Sequence, residues 1–352
     1  MTTDAATQPA ASERPMWRHL LKLARPHQWG KSGFVFIGPV YRLQDLDTTN
    51  YDWLQAGLSV FLTAAAFALA SSGLYVINDI VDAEQDRAHP RKRNRPIASG
   101  AVPLGLAKTY AAILMVVGIT LGALAPGDGT LIALAMLGLH LANVLCYSAL
   151  LKRIVIIDVV SLSMGFVLRV IAGCAAIGVA PTTWLLNATL FLSMFLAFGK
   201  RLGERRTMGS AEDAARARGV QAAYSDPILR MLVVVAGVAT LLTYASYIND
   251  REASYTLAAL GGFNLLWPTV LPAMYGLLRC ITLLEAGRFD DPTELAVRDR
   301  PFQLAAFLFA ASTVTLVVLR GMGLIGDGAT AAMPDGAALA AARSLTITYP
   351  NL

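Results

Sequence analysis

Long apolar runs alternate with short polar connections along this chain. The stretch 53–77 has 25 residues and no Asp, Glu, Lys, Arg or His among them. A run of that length crosses a bilayer as a helix. Comparable runs lie near residues 19–43, 105–125, 130–151, 154–178, 182–199, 227–248, 255–284 and 302–325. The pattern predicts an all-α polytopic membrane protein with about nine transmembrane helices in one bundle over residues 16–325. Pro268 and Pro272 should kink the eighth span.

The connections differ in charge. One set comprises the N-terminal tail with Arg14, Arg18 and Lys22, the 78–104 loop, Lys152–Arg153, and the 200–226 and 285–301 loops. The other set, 44–52, 125–129, 178–183 and 248–254, contains Arg251 as its only Lys or Arg. The positive-inside rule assigns the first set to the cytoplasm, and nine spans would put the C-terminus outside.

Composition agrees with this class. The 352 residues are 55% hydrophobic and 15% charged, against about 25% charged in a soluble domain. The net charge is +5. The basic residues alternate with apolar spans, which excludes a nucleic-acid partner and leaves membrane lipids as the surroundings. Cys146, Cys174 and Cys280 lie inside apolar segments without metal-ligand spacing, so no disulfide framework is implied. Residues 1–15 lack the basic and apolar regions of a signal peptide and read as a disordered cytoplasmic tail. The Ala/Gly-rich residues 326–352 read as a poorly ordered C-terminal tail. Homo-oligomerisation is left open.

The candidate chemistry starts where the second span ends. Asn78, Asp82 and Asp86 recur every fourth residue, so a continuing helix places them on one face, about 40° apart per step. Carboxylates and an amide oxygen suit a hard cation such as Mg2+, which binds together with substrate phosphates. Arg87, His89, Arg91, Lys92, Arg93 and Arg95 follow at once and can hold further phosphate charge. A solvated helix end followed by a topology signal is the alternative. Tyr75 shares the ladder's face one turn deeper, as a hydrogen-bond donor to a phosphate or ribose, or as an interface aromatic. Arg25 and Lys31 at the start of the first span either snorkel to headgroups or contact phosphate. His140 in the fourth span reads as a packing residue. Asp158 and Arg169 lie inside the fifth span. Charges there are expensive and face the bundle interior, and their separation of about 16 Å argues against an ion pair within the helix.

NDIVDAEQD followed by KRNRP resembles the first Asp-rich motif of the UbiA-type intramembrane prenyltransferase superfamily. In that family the motif holds Mg2+ and a diphosphate leaving group at the cytoplasmic mouth of a helical bundle. The resemblance implies a UbiA-like bundle with cytoplasmic cap loops. Members that prenylate aromatic rings usually carry a second motif, DxxxD, after the sixth span. Here Lys200, Arg201, Glu204 and Arg205 stand in its place. Together with RPHQWGK, LRVIAG, GKRLGE and ELAVRDR, this is similar to the phosphoribosyltransferase branch.

That branch implies transfer of phosphoribosyl from phosphoribosyl diphosphate to a polyprenyl (decaprenyl) phosphate in a bacterial inner membrane, supplying cell-wall arabinan precursors. Asn78, Asp82 and Asp86 would hold Mg2+, with Asp82, Asp86 and Lys200 catalytic. Lys31, Tyr75, Lys92, Arg95, Lys152, Arg169, Lys200, Arg201, Tyr224 and Arg298 would bind substrates. Prenyl transfer to an aromatic acceptor and non-enzymatic transport are the alternatives.

Overall fold

The computed structural model describes residues 15–42, 52–88, 92–207, 224–257, 260–288 and 298–326. The expected terminal tails, the helical character expected at 211–223, and Asp290, Asp291 and Glu294 lie outside these residues, as do His89 and Arg91.

The chain opens with α1 (Met16–Ala24), a 3-10 segment (Pro26–Gly33) and α2 (Phe34–Arg42). The main helices follow as α3 (Trp53–Val81), α4 (Ala83–Ala88), α5 (Leu104–Ala123), α6 (Thr130–Ala149), α7 (Ile157–Ala176) and α8 (Thr183–Thr207). The chain continues with α9 (Asp226–Asp250), a two-stranded antiparallel hairpin of β1 (Thr256–Leu257) and β2 (Phe263–Asn264), α10 (Val270–Glu285) and α11 (Arg300–Gly321). Among the described residues, eight helical segments are long and apolar enough to cross a membrane. The chain is an integral multi-pass membrane protein.

Two predicted spans look different in the structure. The first, 19–43, is not one helix. Arg25 adopts the left-handed conformation at φ 51° and Pro26 opens the 3-10 segment, so the polypeptide turns sharply between α1 and α2. A residue before proline is disfavoured in the α region, and the polar PHQWGKSG stretch cannot continue an apolar helix. The eighth predicted span, 255–284, is shorter, because its first residues form the hairpin and the apolar segment begins at Trp267. Pro268 and Pro272 sit at the helix start, where proline's missing N–H is tolerated, and make no mid-helix kink.

The most buried spans are α3 and α7. They form the centre, and the outer helices turn residues such as Leu131, Val235, Leu242 and Phe307 outward, as expected for surfaces that meet lipid tails. Small residues bring helices into close contact. A Cβ on Gly173 of α7 would lie 1.8 Å from the Val35 carbonyl oxygen of α2. Gly173→Leu is therefore expected to push α2 off α7 and destabilise the fold by about 3 kcal/mol or more, read as a lower thermal midpoint in detergent.

Candidate functional site

The helical register survives the end of α3. The Asp82 amide donates to the Asn78 carbonyl (2.9 Å) and the Asp86 amide to the Asp82 carbonyl (2.8 Å). Asn78, Asp82 and Asp86 therefore climb one face across the α3–α4 junction. Asn78 is half-buried and its Nδ2 donates to Ser148 Oγ of α6 at 3.3 Å. Asp82 is half-buried at the α3 C-cap. Asp86 is buried.

A fourth member, Asp79, joins them. It lies two helical turns before Asp86, only about 20° around the axis. Arg95 Nη1 donates to Asp79 Oδ1 at 3.0 Å and to Asp86 Oδ2 at 2.7 Å. Arg25 Nη2 donates to Asp79 Oδ1 at 2.7 Å, and Lys92 Nζ stands 3.9 Å from Asp86 Oδ1. The Arg25 guanidinium also lies 5.1 Å from the centre of the Tyr75 ring. Sequence reasoning missed Asp79 as a site member because it followed steps of four. The seven-residue spacing to Asp86 was the signal.

Both arginines are held by their backbones. Trp29 Nε1 donates to Ser72 Oγ (3.0 Å), and Ser72 donates to the Ala24 carbonyl (2.7 Å). These bonds fasten the turn that carries Arg25 to α3. The loop carrying Arg95 is pinned by Ile97, Ala98 and Val102, all buried. Ile97 and Val102 pack with Leu23 and Ala24 of α1 and with Ala107 and Ala111 of α5. Arg87 Nε donates to the Ala98 carbonyl at 3.2 Å.

The donor set fits Mg2+. Asn78, Asp79, Asp82 and Asp86 offer only hard oxygen donors on one helical face. Among the described residues no group of three or more Asp, Glu, His and Cys side chains forms a metal cage. A cation held here through one or two carboxylates would take the rest of its shell from substrate phosphates.

The other predicted site residues sit on separate elements of the chain. Lys31 is exposed in the 3-10 segment, Lys152 is exposed between α6 and α7, Lys200 is half-buried on α8, and Arg298 is exposed just before α11. Arg169 is buried. Its Nη1 donates to the Gly165 carbonyl (2.7 Å) and Nη2 contacts His140 Nε2 (3.1 Å), with the Phe67 and Phe166 rings 5.5 and 5.9 Å away. His140 thus packs as expected and also partners Arg169.

Arg201 and Tyr224, expected to bind substrate, both meet Asp158 of α7. Arg201 is 2% exposed and Asp158 fully buried, and Arg201 Nη2 lies 2.5 Å from Asp158 Oδ2. This is a close ion pair without hydrogen-bond alignment, since Arg201 Nε and Asp158 Oδ2 lack hydrogen-bond partners. Tyr224 Oη donates to Asp158 Oδ1 at 2.8 Å and accepts from the Ile156 amide at 2.6 Å. Burial pushes the Tyr224 hydroxyl well above the usual phenol range, so it stays protonated. These side chains tie α7, α8 and the start of α9 together.

Between α2, α8, α9, α10 and α11 runs an apolar cavity of about 460 Å³, lined by Phe34, Ile37, Leu192, Ala306 and Phe309 among others.

The sequence matches the UbiA prenyltransferase family over residues 49–308. It is 31% identical over 316 residues to a decaprenyl-phosphate phosphoribosyltransferase of Mycobacterium tuberculosis, covering 89% of this chain and 97% of that protein. A Corynebacterium glutamicum protein of the same name is 30% identical over 303 residues, covering 86% and 88%. The fold resembles that of a UbiA homolog from Archaeoglobus fulgidus solved bound to GPP and Mg2+, with a TM-score of 0.60, 16% identity, and coverage of 85% of this chain and 99% of that one.

Proposed function

Because the chain belongs to the UbiA prenyltransferase family, we propose that it transfers the 5-phosphoribosyl group of phosphoribosyl diphosphate to a polyprenyl (decaprenyl) phosphate, releasing diphosphate. The observation that carries this reading is the cationic clamp of Arg25, Arg95 and Lys92 around Asp79 and Asp86, in a chain whose relatives carry that enzyme name over most of their length. The Lys/Arg bias of the loops supports a ladder at the cytoplasmic face, and the bacterial relatives support an inner-membrane location.

Asn78, Asp82 and Asp86 would hold Mg2+, with Asp79 beside them. When bound, the ion offsets the charge that develops on the departing diphosphate. Arg95 keeps Asp79 and Asp86 at fixed separation. Arg25 and Lys92 add positive charge where donor phosphates arrive. The C1–O bond of the donor breaks with its electron pair on diphosphate, and an oxygen of the acceptor phosphate bonds to C1 from the opposite face, inverting it. The acceptor is already an anion near neutral pH, so no general base is needed.

The apolar cavity takes the start of the isoprenoid tail. Ala306→Trp narrows it and is expected to raise KM for a long-chain acceptor about tenfold, the worth of roughly two buried methylenes. KM for phosphoribosyl diphosphate should stay unchanged.

The experiment that tests the assignment is diphosphate release in membranes containing the protein. Release that requires both phosphoribosyl diphosphate and a polyprenyl phosphate is the expected result. Release that requires a prenyl diphosphate and a phenol would overturn it.

A further inference from the structure

A basic pocket adjoins the loop that carries Arg95. It has a volume of about 310 Å³ and is lined by Arg18, His19 and Lys22 of α1 and by Asn94 and Ser99 of the loop that carries Arg95. Among the described residues no carboxylate lines it. Lys22 Nζ donates to the Asn94 carbonyl at 3.4 Å, so the helix and the loop form two walls of one recess. None of these five residues takes part in the transfer chemistry described above.

The helix bearing the pocket has three faces. Leu23 and Ala24 are buried in the bundle. Arg18 and Lys22 are exposed one turn apart on another flank. Between these flanks, Trp17 is 59% and Leu21 46% exposed, again one turn apart. An exposed Trp–Leu stripe beside a Lys–Arg stripe is the signature of a helix lying in the membrane interface. That placement puts the recess at headgroup depth, with its cations beside the apolar stripe that enters the lipid. The Arg18 guanidinium stands 5.3 Å from the centre of the Trp17 ring, so the two stripes are in contact.

We propose that this recess binds the phosphate of an anionic lipid headgroup. Arg18 and Lys22 supply the charge, Ser99 and Asn94 side chains supply polar contacts, and Trp17 and Leu21 lie against the glycerol and upper acyl chain. A free phosphate shares the recognition chemistry but not the apolar contacts. The lipid site shares its loop wall with Arg95, whose neighbour Asn94 lines the pocket.

The test uses the full chain in phosphatidylcholine nanodiscs titrated with phosphatidylglycerol, with bound lipid counted by native mass spectrometry. R18Q/K22Q is expected to weaken phosphatidylglycerol binding at least tenfold, since each cation near an anionic headgroup is worth about fivefold. R18K/K22R should retain it. Lys108→Gln removes an exposed cation at the start of α5, outside the pocket, and should leave binding unchanged. Equal binding by the parent and R18Q/K22Q overturns the proposal, as does an equal loss in Lys108→Gln. Inorganic phosphate that displaces the lipid at equal concentration also overturns it and makes the recess a free-phosphate site. Binding is read without either transferase substrate, so failure here leaves the proposed reaction standing, and failure of that reaction leaves this site standing.

Discussion

Replacing Asp82 by alanine is expected to lower the transfer rate by about a hundred- to a thousandfold, in the range seen when one electrostatic stabiliser of a transition state is removed. Asp82 sits at the α3 C-cap, half-buried, between Asn78 and Asp86 on the ladder face. Its carboxylate has no partner among the described residues, whereas Asp79 and Asp86 are both clamped by Arg95. The variant should therefore fold normally, because no buried pair is broken. Asp86→Ala tests the same step under a different constraint. It removes an oxygen donor and also releases Arg95 from one of its carboxylates, so it should lower both activity and thermal midpoint. A loss of activity at unchanged midpoint for Asp82, with both falling for Asp86, is the pattern that separates ligation from architecture. Stability and turnover assays on the same preparations read it out.

The second large effect is on stability. Asp158→Ala leaves the Arg201 guanidinium, 2% exposed, without its counter-charge. Breaking a buried ion pair by removing one partner costs about 3–5 kcal/mol. For a protein of this size that is a drop of roughly ten degrees in midpoint, and Tyr224 loses the acceptor of its hydroxyl as well. The paired variant D158L/R201M is expected to regain most of the lost stability, since well-packed apolar pairs often replace buried ion pairs without cost. It also distinguishes the two readings of Arg201. If Arg201 only holds α7 to α8, the paired variant keeps its activity. If Arg201 contacted a substrate phosphate, the paired variant would be stable and inactive.

The number and order of most helices were legible because apolar runs bounded by charge leave little freedom in a bilayer. The break at Arg25 was less so. A single Arg–Pro step inside a run that is apolar on average decides it, and the ion pair with Asp79 that accompanies the left-handed turn comes from a residue far along the chain. The acidic ladder was visible through its spacing of four. Asp79 was not singled out, because the hydrogen bonds of Arg25 and Arg95 to its carboxylate depend on tertiary packing of α1 and the 92–103 loop.

The fate of Arg201 was invisible for a related reason. A basic cluster at a helix end looks the same whether it faces a phosphate or turns inward to Asp158 on a neighbouring helix. Periodicity within α8 cannot separate these outcomes. The intramembrane position of Asp158 was the available hint, since a buried carboxylate demands a partner.

The proposed reaction requires the Asn78–Asp82–Asp86 face and the Arg25–Arg95 clamp to capture a metal–diphosphate complex together. Binding of labelled phosphoribosyl diphosphate to the purified chain, with and without Mg2+ and in the absence of any acceptor, tests it most directly. The expected result is binding that needs Mg2+, disappears with chelator and fails in Asp82→Ala. Binding of equal strength without Mg2+, or retained in full by Asp82→Ala, would contradict it.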